Sequence, residues 1–189
     1  MLQSVEKFVA DMRQVCETTP GDEKWDICRD LLRDLLKDPE LQKHAEAWPV
    51  GGFDGKKVDN LLFYEDPDHG FVINGLIKNP GGRAMIHDHG KAWTIYGVLS
   101  GNERVVRYKE IENPDGEAGY QEEHEVKCSP GQVDVVPPWE IHSEYAGDDK
   151  TIAVIVRSQR SGTFEQYRYY DDGGKVKFPG PNQVPYELG

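Results

Sequence analysis

The first fifty residues carry apolar side chains at three- and four-residue spacing, which is typical of amphipathic helices. A break at "TTPGDE" separates the first stripe from a second over residues 25–36, where Asp22 is the expected N-cap. A short third helix is predicted at Asp38, which can cap, and Pro39, which suits the first helical position. The first stripe consists of Leu2, Val5, Phe8, Val9, Met12 and Cys16.

From about residue 58 the pattern changes to short runs rich in Val, Ile, Tyr, Phe and Trp, separated by turns that carry Pro, Gly, Asn and Asp. Many short strands with frequent turn signals predict a β-sandwich or barrel. We therefore expect an N-terminal helical segment at 1–50, a barrel at 51–170 and an extended Gly- and Pro-rich C-terminal arm at 171–189, packed as one unit. The runs are "NLLFY", "GFVINGLI", "AWTIYGVL", "ERVVRY", "QVDVV", "TIAVIV" and "FEQYRYY".

Charge and composition narrow the classes of partner. The 189-residue chain has a formal net charge of −12, which argues against binding to nucleic acid or to an anionic membrane surface. No apolar run approaches the roughly 18 residues of a membrane span. Three scattered cysteines without a C-x-x-C motif indicate neither a disulfide framework nor a zinc ribbon. We expect a cytoplasmic protein whose partner is a small molecule.

Two closely spaced histidines stand out in "IHDHGKAWTIYG". On a strand, His87 and His89 point to one face and Asp88 to the other. Two imidazoles make a weak metal site, and "PGQVDVVPPWEIH" offers His142 as a third on another predicted strand. The chain therefore predicts a three-histidine metal site. The other histidines, His44, His69 and His124, lie on a helix, a turn and a charged strand and are interpreted as non-ligands.

The two histidine segments resemble the paired motifs of the cupin superfamily. "GGRAMIHDHGKAWTIYGVLSG" is similar to the first motif and "GQVDVVPPWEIH" to the second. The resemblance covers about residues 58 to 160. It implies a mainly β protein with a cupin double-stranded β-helix, or jelly-roll barrel, with the metal inside its mouth, the N-terminal helices against it, and a monomeric or homodimeric state. The matching positions are Gly81, His87, His89, Gly101, Gly131, Pro137 and His142.

Many cupins also carry a glutamate four or five residues after the second histidine, where this chain has Trp93 and Thr94. The sequence therefore predicts three neutral imidazoles without a carboxylate ligand. Imidazole suits Fe, Zn, Cu and Ni, and such a site leaves positions open for substrate and O₂. The arrangement is similar to that of the cysteine dioxygenase (thiol dioxygenase) family, which implies Fe(II), with Ni, Zn or Cu as alternatives.

Three departures from that family exclude cysteine as the expected substrate. The family's substrate-binding arginine is missing from "VDNLLFY", apolar residues replace its Ser-x-His-x-Tyr set in "TIAVIVRS", and no cysteine lies near Thr94. The chain is interpreted as a diverged relative: an Fe(II)-dependent dioxygenase that uses O₂ on another small organic substrate. The alternatives are a metal-dependent lyase or isomerase without oxygen chemistry, and a non-catalytic sensor or sugar-binding barrel.

Pocket residues follow from strand alternation, with two readings left open. An unbroken strand after His89 would turn Trp93 and Ile95 inward, whereas a bulge at Gly90 would turn Thr94 and Tyr96 inward. Glu140, two residues before His142, is a candidate catalytic base or a partner that orients an imidazole, and Tyr96 is a candidate for proton transfer. The candidate substrate-binding residues are Arg83, Trp93, Arg157 and Tyr145.

Overall fold

The computed structural model describes residues 1–49, 59–112 and 118–189. The predicted end of the helical segment at "VGGFDG", with the boundary at residue 50, and the centre of the predicted turn "ENPDGEAG" lie outside these residues.

Three helices occupy the N-terminal segment, as the apolar spacing predicts. They are α1 (Gln3–Thr18), α2 (Glu23–Leu35) and α3 (Pro39–Ala45). The Asp38 side chain accepts hydrogen bonds from two backbone N–H groups at the start of α3, which confirms the predicted cap. The predicted cap on α2 is wrong, because Asp22 has helical φ and ψ and its side chain accepts no capping hydrogen bond.

Eleven strands follow in the described part of the chain. They are β1 (Asp59–Glu65), β2 (Val72–Lys78), β3 (Thr94–Ser100), β4 (Glu103–Glu112), β5 (Ala118–Cys128), β6 (Val133–Val136), β7 (Ile141–Ala146), β8 (Thr151–Arg157), β9 (Gln166–Tyr169), β10 (Lys175–Phe178) and β11 (Asn182–Pro185).

The strands form two facing layers. One is a six-stranded sheet in the order β11-β1-β2-β8-β3-β6, and the other contains β5-β4-β7 and the β9–β10 hairpin. All pairings among the described strands are antiparallel except that of β1 with β11. The crossing connections and the packed layers are those of a mainly β double-stranded β-helix, so the predicted fold class is confirmed. The expected C-terminal arm contributes two of the strands, β10 and β11.

Three strands of the six-stranded sheet, β2, β3 and β8, are buried on both faces, which is why they are almost continuously apolar. On β8, Val154 and Val156 pack into the cluster that contains the helices. Ala153 and Ile155 point the other way, into the barrel interior. The same alternation sends Arg157, the last residue of β8, to the interior side. No helix among the described residues is long and apolar enough to cross a membrane.

Asp66 ties the helical segment to the barrel. Its side chain, which is fully buried, accepts hydrogen bonds from Arg13 on α1 (2.6 Å), the Tyr64 hydroxyl (2.9 Å) and the backbone N–H groups of Asp68 (3.0 Å) and His69 (2.7 Å). Burial by itself raises the pKa of Asp66, but these hydrogen bonds and the Arg13 charge outweigh it and lower the pKa below its usual value.

We expect Asp66→Asn to lower the free energy of unfolding by about 2–4 kcal/mol, because the substitution removes a buried, fully bonded charge. The contribution of Asp66 is present above the carboxyl's ordinary pKa of about 3.9 and lost as the pH falls below it, since the folded-state pKa is the lower one. Urea unfolding of both proteins between pH 7 and pH 3 measures the difference. The matched control is Asp68→Asn: Asp68 also pairs with Arg13 but is 64% exposed, so a cost below about 1 kcal/mol is expected. Equal costs for the two variants would contradict this account.

Candidate metal centre

The first histidine pair lies on a short bridging segment that belongs to no named strand. His87 N–H donates to the carbonyl of His142 and His142 N–H donates to the carbonyl of His87, both at 2.9 Å. His87 also forms an antiparallel bridge with Arg168 on β9. The segment therefore joins β7 to the β9–β10 hairpin and completes the second layer.

Asp88 fixes this segment from behind. It is completely buried and accepts hydrogen bonds from Gly90 N–H (2.9 Å), Tyr167 N–H (3.0 Å) and the Tyr169 hydroxyl. The side chain points away from the histidines, as alternation predicts, into the β9 side of the layer. Asp88 thus holds the two flanking imidazoles in place without contacting a metal position.

The three predicted histidines converge. Ring centroids are 4.9 Å apart for His87 and His89, 4.5 Å for His87 and His142, and 4.9 Å for His89 and His142. A carboxylate joins them: one ligand atom from each histidine and one from Glu144 all lie within 4.8 Å of one another. The expectation of a site without a carboxylate is therefore wrong.

The spacing of Glu144 from His142 in the sequence indicates that Glu144 can be a ligand. It lies two residues after His142 on β7, so both side chains project from the same face of the strand. The carboxylate therefore comes from the motif of the third histidine and not from the motif of the first pair. A glutamate at the second residue after the third histidine was the available signal.

The donor atoms face inward with their lone pairs free. His87 Nδ1 lies 2.7 Å from the Met85 carbonyl oxygen, and His142 Nδ1 lies 3.0 Å from that of Glu140. A donated Nδ1–H leaves Nε2 as the ligand atom. His142 Nε2 and Glu144 Oε2 are buried without a hydrogen-bond partner among the described residues. A transition-metal ion satisfies both groups, so the residues fit a bound metal.

The protonation states suit ligation. Burial lowers the pKa of His87 to about 4. Burial, and then the neighbouring His142 and His87, lower the pKa of His89. Burial of Glu144 opposes its ionisation, but the Lys78 charge and the histidines outweigh burial and lower its pKa. At neutral pH His87 and His89 are thus neutral and Glu144 is ionised, which are the forms that bind metals.

A cavity of about 220 Å³ opens next to the four donors, and it settles which face of the strand after Gly90 turns inward. Gly90 has a φ of 53° and lies in a turn, and an added Cβ would lie 1.9 Å from the Glu165 carbonyl oxygen. Beyond this turn Thr94 and Tyr96 line the cavity, whereas Ile95 packs beneath the helices. The alternative with a break at Gly90 is the observed one.

Of the other candidate residues, three line the cavity. Tyr96 and Arg157 are buried in its wall, while Arg83 is exposed at its edge with its guanidinium 4.9 Å from the centroid of the Tyr145 ring. Tyr145 does not line the cavity; Arg104 lies over the same ring at 4.2 Å.

Trp93 and Glu140 lie elsewhere than expected. Trp93 packs against the core between the helices and the sheet, outside the cavity lining. The Glu140 carboxylate forms an ion pair with Arg107 and is likewise absent from the lining. Only the main-chain oxygen of Glu140 reaches an imidazole, that of His142. Neither side chain is brought to the donors.

A buried ion pair that pattern reasoning missed borders the cavity. Lys78, at the end of β2, donates to Glu103 at the start of β4, and its Nζ lies 5.2 Å from the centroid of the Tyr96 ring. Burial and then the Glu103 charge raise the pKa of Tyr96 well above its usual value, so its hydroxyl stays protonated. A lysine ending an otherwise apolar strand was the signal in the sequence.

No protein-family model and no curated protein sequence matches the chain. Three solved structures illustrate the likeness in fold. A conserved protein with a double-stranded β-helix domain from Klebsiella pneumoniae is 15% identical, with 68% of this chain and 90% of that chain covered and a TM-score of 0.42. The Schizosaccharomyces pombe Cnp3 cupin domain is 11% identical, with 53% and 60% covered and a TM-score of 0.42. An oxalate oxidase in complex with glycolate is 19% identical, with 69% and 58% covered and a TM-score of 0.44.

One of these three structures is a cupin domain and another contains a double-stranded β-helix domain. At these values they carry no information on activity, and the fold assignment rests on the strand topology described above. The closer resemblance to the cysteine dioxygenase family stays a prediction from the sequence.

We expect Glu144→Gln to weaken binding of Fe(II) or Zn(II) at least about tenfold, because the amide cannot supply the charge of the carboxylate. His142→Ala should lower metal stoichiometry further. Elemental analysis and competition with a chromophoric chelator measure both. Glu140→Gln is the matched control and should bind metal as the unsubstituted protein does, since only its main-chain oxygen contacts His142. Loss of metal from the control and not from Glu144→Gln would overturn the ligand assignment.

The metal-free protein should lose stability as the pH falls from about 6.5 towards 4. His87 binds a proton near pH 4 in the fold but near 6.5 when unfolded, so over this range the unfolded chain binds more protons. A single such histidine contributes up to about 1.4 kcal/mol per pH unit. Urea midpoints of the chelator-treated protein test this, and His87→Gln should reduce the slope. Replacement of the exposed His124 by Gln should leave the slope unchanged.

Proposed function

We propose that this protein is a mononuclear non-heme Fe(II)-dependent dioxygenase that acts on a small organic substrate with O₂. The observation that supports the proposal is the convergence of His87, His89, His142 and Glu144 on one point beside a cavity. Two histidines and a carboxylate with open positions are the ligand set of many Fe(II) oxygenases. This site contains that set with one further imidazole, and the four residues would hold an iron ion that could also bind substrate and O₂.

The presence of Glu144 changes the basis of the proposal. A purely neutral ligand set no longer distinguishes iron, and a carboxylate also suits Mn. Fe(II) stays the proposed metal because three of the four donors are imidazoles, with Ni, Zn, Cu and Mn as alternatives. The cytoplasmic location and the monomeric or homodimeric state stay predictions from the sequence.

The chain's own residues prepare the cavity for a polar substrate. When bound, the metal supplies Lewis-acid and oxygen chemistry. Tyr96 holds a proton on a hydroxyl within the wall, next to the Lys78–Glu103 pair. Asn60, Thr94 and Gln166 line the cavity with buried polar atoms that have no hydrogen-bond partner among the described residues. The apolar part of the wall includes Leu76, Val105, Val136 and Ile155.

A lyase or isomerase is the second candidate, and Tyr96 is the observation that favours it. A protonated phenol beside a buried lysine–glutamate pair is suited to moving a proton on a substrate polarised by a metal. In that case Tyr96 would act as the general acid, and no O₂ would be consumed.

Oxygen consumption separates the two functions. We expect Fe(II)-loaded protein to take up O₂ with one member of a panel of thiols, diketones and phenolic acids, measured with an oxygen electrode and by product analysis under air and under nitrogen. Glu144→Gln and His142→Ala should abolish uptake, whereas Glu140→Gln should retain it. Tyr96→Phe should lower kcat about 10²-fold or more if the phenol transfers a proton in the rate-limiting step. Equal substrate turnover under air and under nitrogen would refute the dioxygenase function and support the lyase or isomerase.

A further inference from the structure

One cationic side chain in the cavity wall has no counter-ion among the residues that the structure describes. Arg157 is only 4% exposed, and its Nε and Nη1 atoms are buried without a hydrogen-bond partner. It forms none of the ion pairs in the described part of the chain. Burying an unpaired guanidinium is costly, so its retention calls for a ligand.

Other buried cations of the barrel are neutralised. Lys78 is paired with Glu103, and Arg107 is paired with Asp134 at 2.7 Å and with Glu140. Neutralisation is thus the rule inside this barrel, and Arg157 departs from it.

Neither Glu103 nor Glu144 forms an ion pair with Arg157. In the register of β2 with β8, Lys78 lies opposite Thr151 and Val72 opposite Arg157, so the backbone positions of Lys78 and Arg157 are six residues apart along the sheet, and Glu103 is already paired with Lys78. Glu144 is close enough to influence Arg157 but not within ion-pair distance, and it belongs to the donor cluster. With a metal bound, Arg157 has no carboxylate to face.

We infer that Arg157 binds a carboxylate group of the substrate. The inference rests on the proposed function, and it makes the substrate a small organic carboxylate. The guanidinium pairs with that group while another part of the same molecule faces His87, His89, His142 and Glu144. Guanidinium–carboxylate pairs are charge-assisted and directional, and both unpartnered nitrogens are available for them.

Size and charge at the opening agree with such a substrate. The 220 Å³ cavity is smaller than the roughly 300–1,000 Å³ of sites for drug-sized ligands. Two exposed arginines also line it: Arg83 lies over the Tyr145 ring and Arg168 over the Phe178 ring. Local positive charge on a protein of net charge −12 attracts a small anion to this opening.

The test compares carboxylates with their neutral amides. Lactate and lactamide, and succinate and succinamide, are titrated calorimetrically into the protein with and without Zn(II). We expect the carboxylates to bind at least tenfold more tightly than the amides in both forms. Arg157→Gln should weaken carboxylate binding by about ten- to a hundredfold and leave amide binding unchanged. Arg157→Lys should have an intermediate carboxylate affinity.

Two controls keep the result interpretable. Arg160→Gln removes the same charge from an exposed arginine that pairs with Glu65 outside the cavity, and it should keep the preference for carboxylates. Arg157→Gln should melt at the same or a higher temperature than the unsubstituted protein, because it relieves an unpaired buried charge. The inference is overturned if no carboxylate binds, if carboxylates and amides bind equally, or if Arg157→Gln binds carboxylates undiminished.

Separate results would refute the carboxylate site at Arg157 and the proposed dioxygenase function. A carboxylate preference lost in Arg157→Gln, without any O₂ uptake, refutes the dioxygenase and leaves the anion site standing. Oxygen uptake with a substrate that lacks a carboxylate, unaffected by Arg157→Gln, refutes the anion site alone.

Discussion

Two main-chain hydrogen bonds between His87 and His142 hold the candidate metal centre together. They set the two residues opposite each other in an antiparallel bridge, where opposed side chains project to one face. His89 and Glu144 each lie two residues farther along their own segments and therefore join the same face. A short bridge between an irregular segment and β7 thus gathers four donors from two distant parts of the sequence.

Three strands that are buried on both faces, β2, β3 and β8, form the surroundings of the centre. The helices cover one face and close it with an apolar core, so the other face is free to line a cavity. Lys78 enters that cavity from the end of β2 and Arg157 from the end of β8, whereas Glu144 and Tyr96 reach it from within their strands. Burial among these strands lowers the pKa values of His87 and His89.

Charges inside the barrel follow one pattern with one exception. Lys78 and Arg107 have acidic partners, and the donor cluster combines three imidazoles with one carboxylate suited to a cation. Arg157 alone among these buried cations carries charge without a protein partner. Proteins commonly retain such destabilising groups where a ligand is bound, because stability is exchanged there for function.

Local pattern determined the helices, most strands, the three converging histidines and the fold class, because 3.6- and 2-residue periods and turn residues act over short distances. It did not determine which face follows Gly90, because a single turn reverses the alternation and depends on the close approach of Glu165. Nor could it separate Glu144 from Glu140, two glutamates flanking His142, one at the donors and one paired with Arg107. The inward face after Gly90 and the roles of the two glutamates depend on which distant chain segment packs against each residue. Only the tertiary structure brings these segments together.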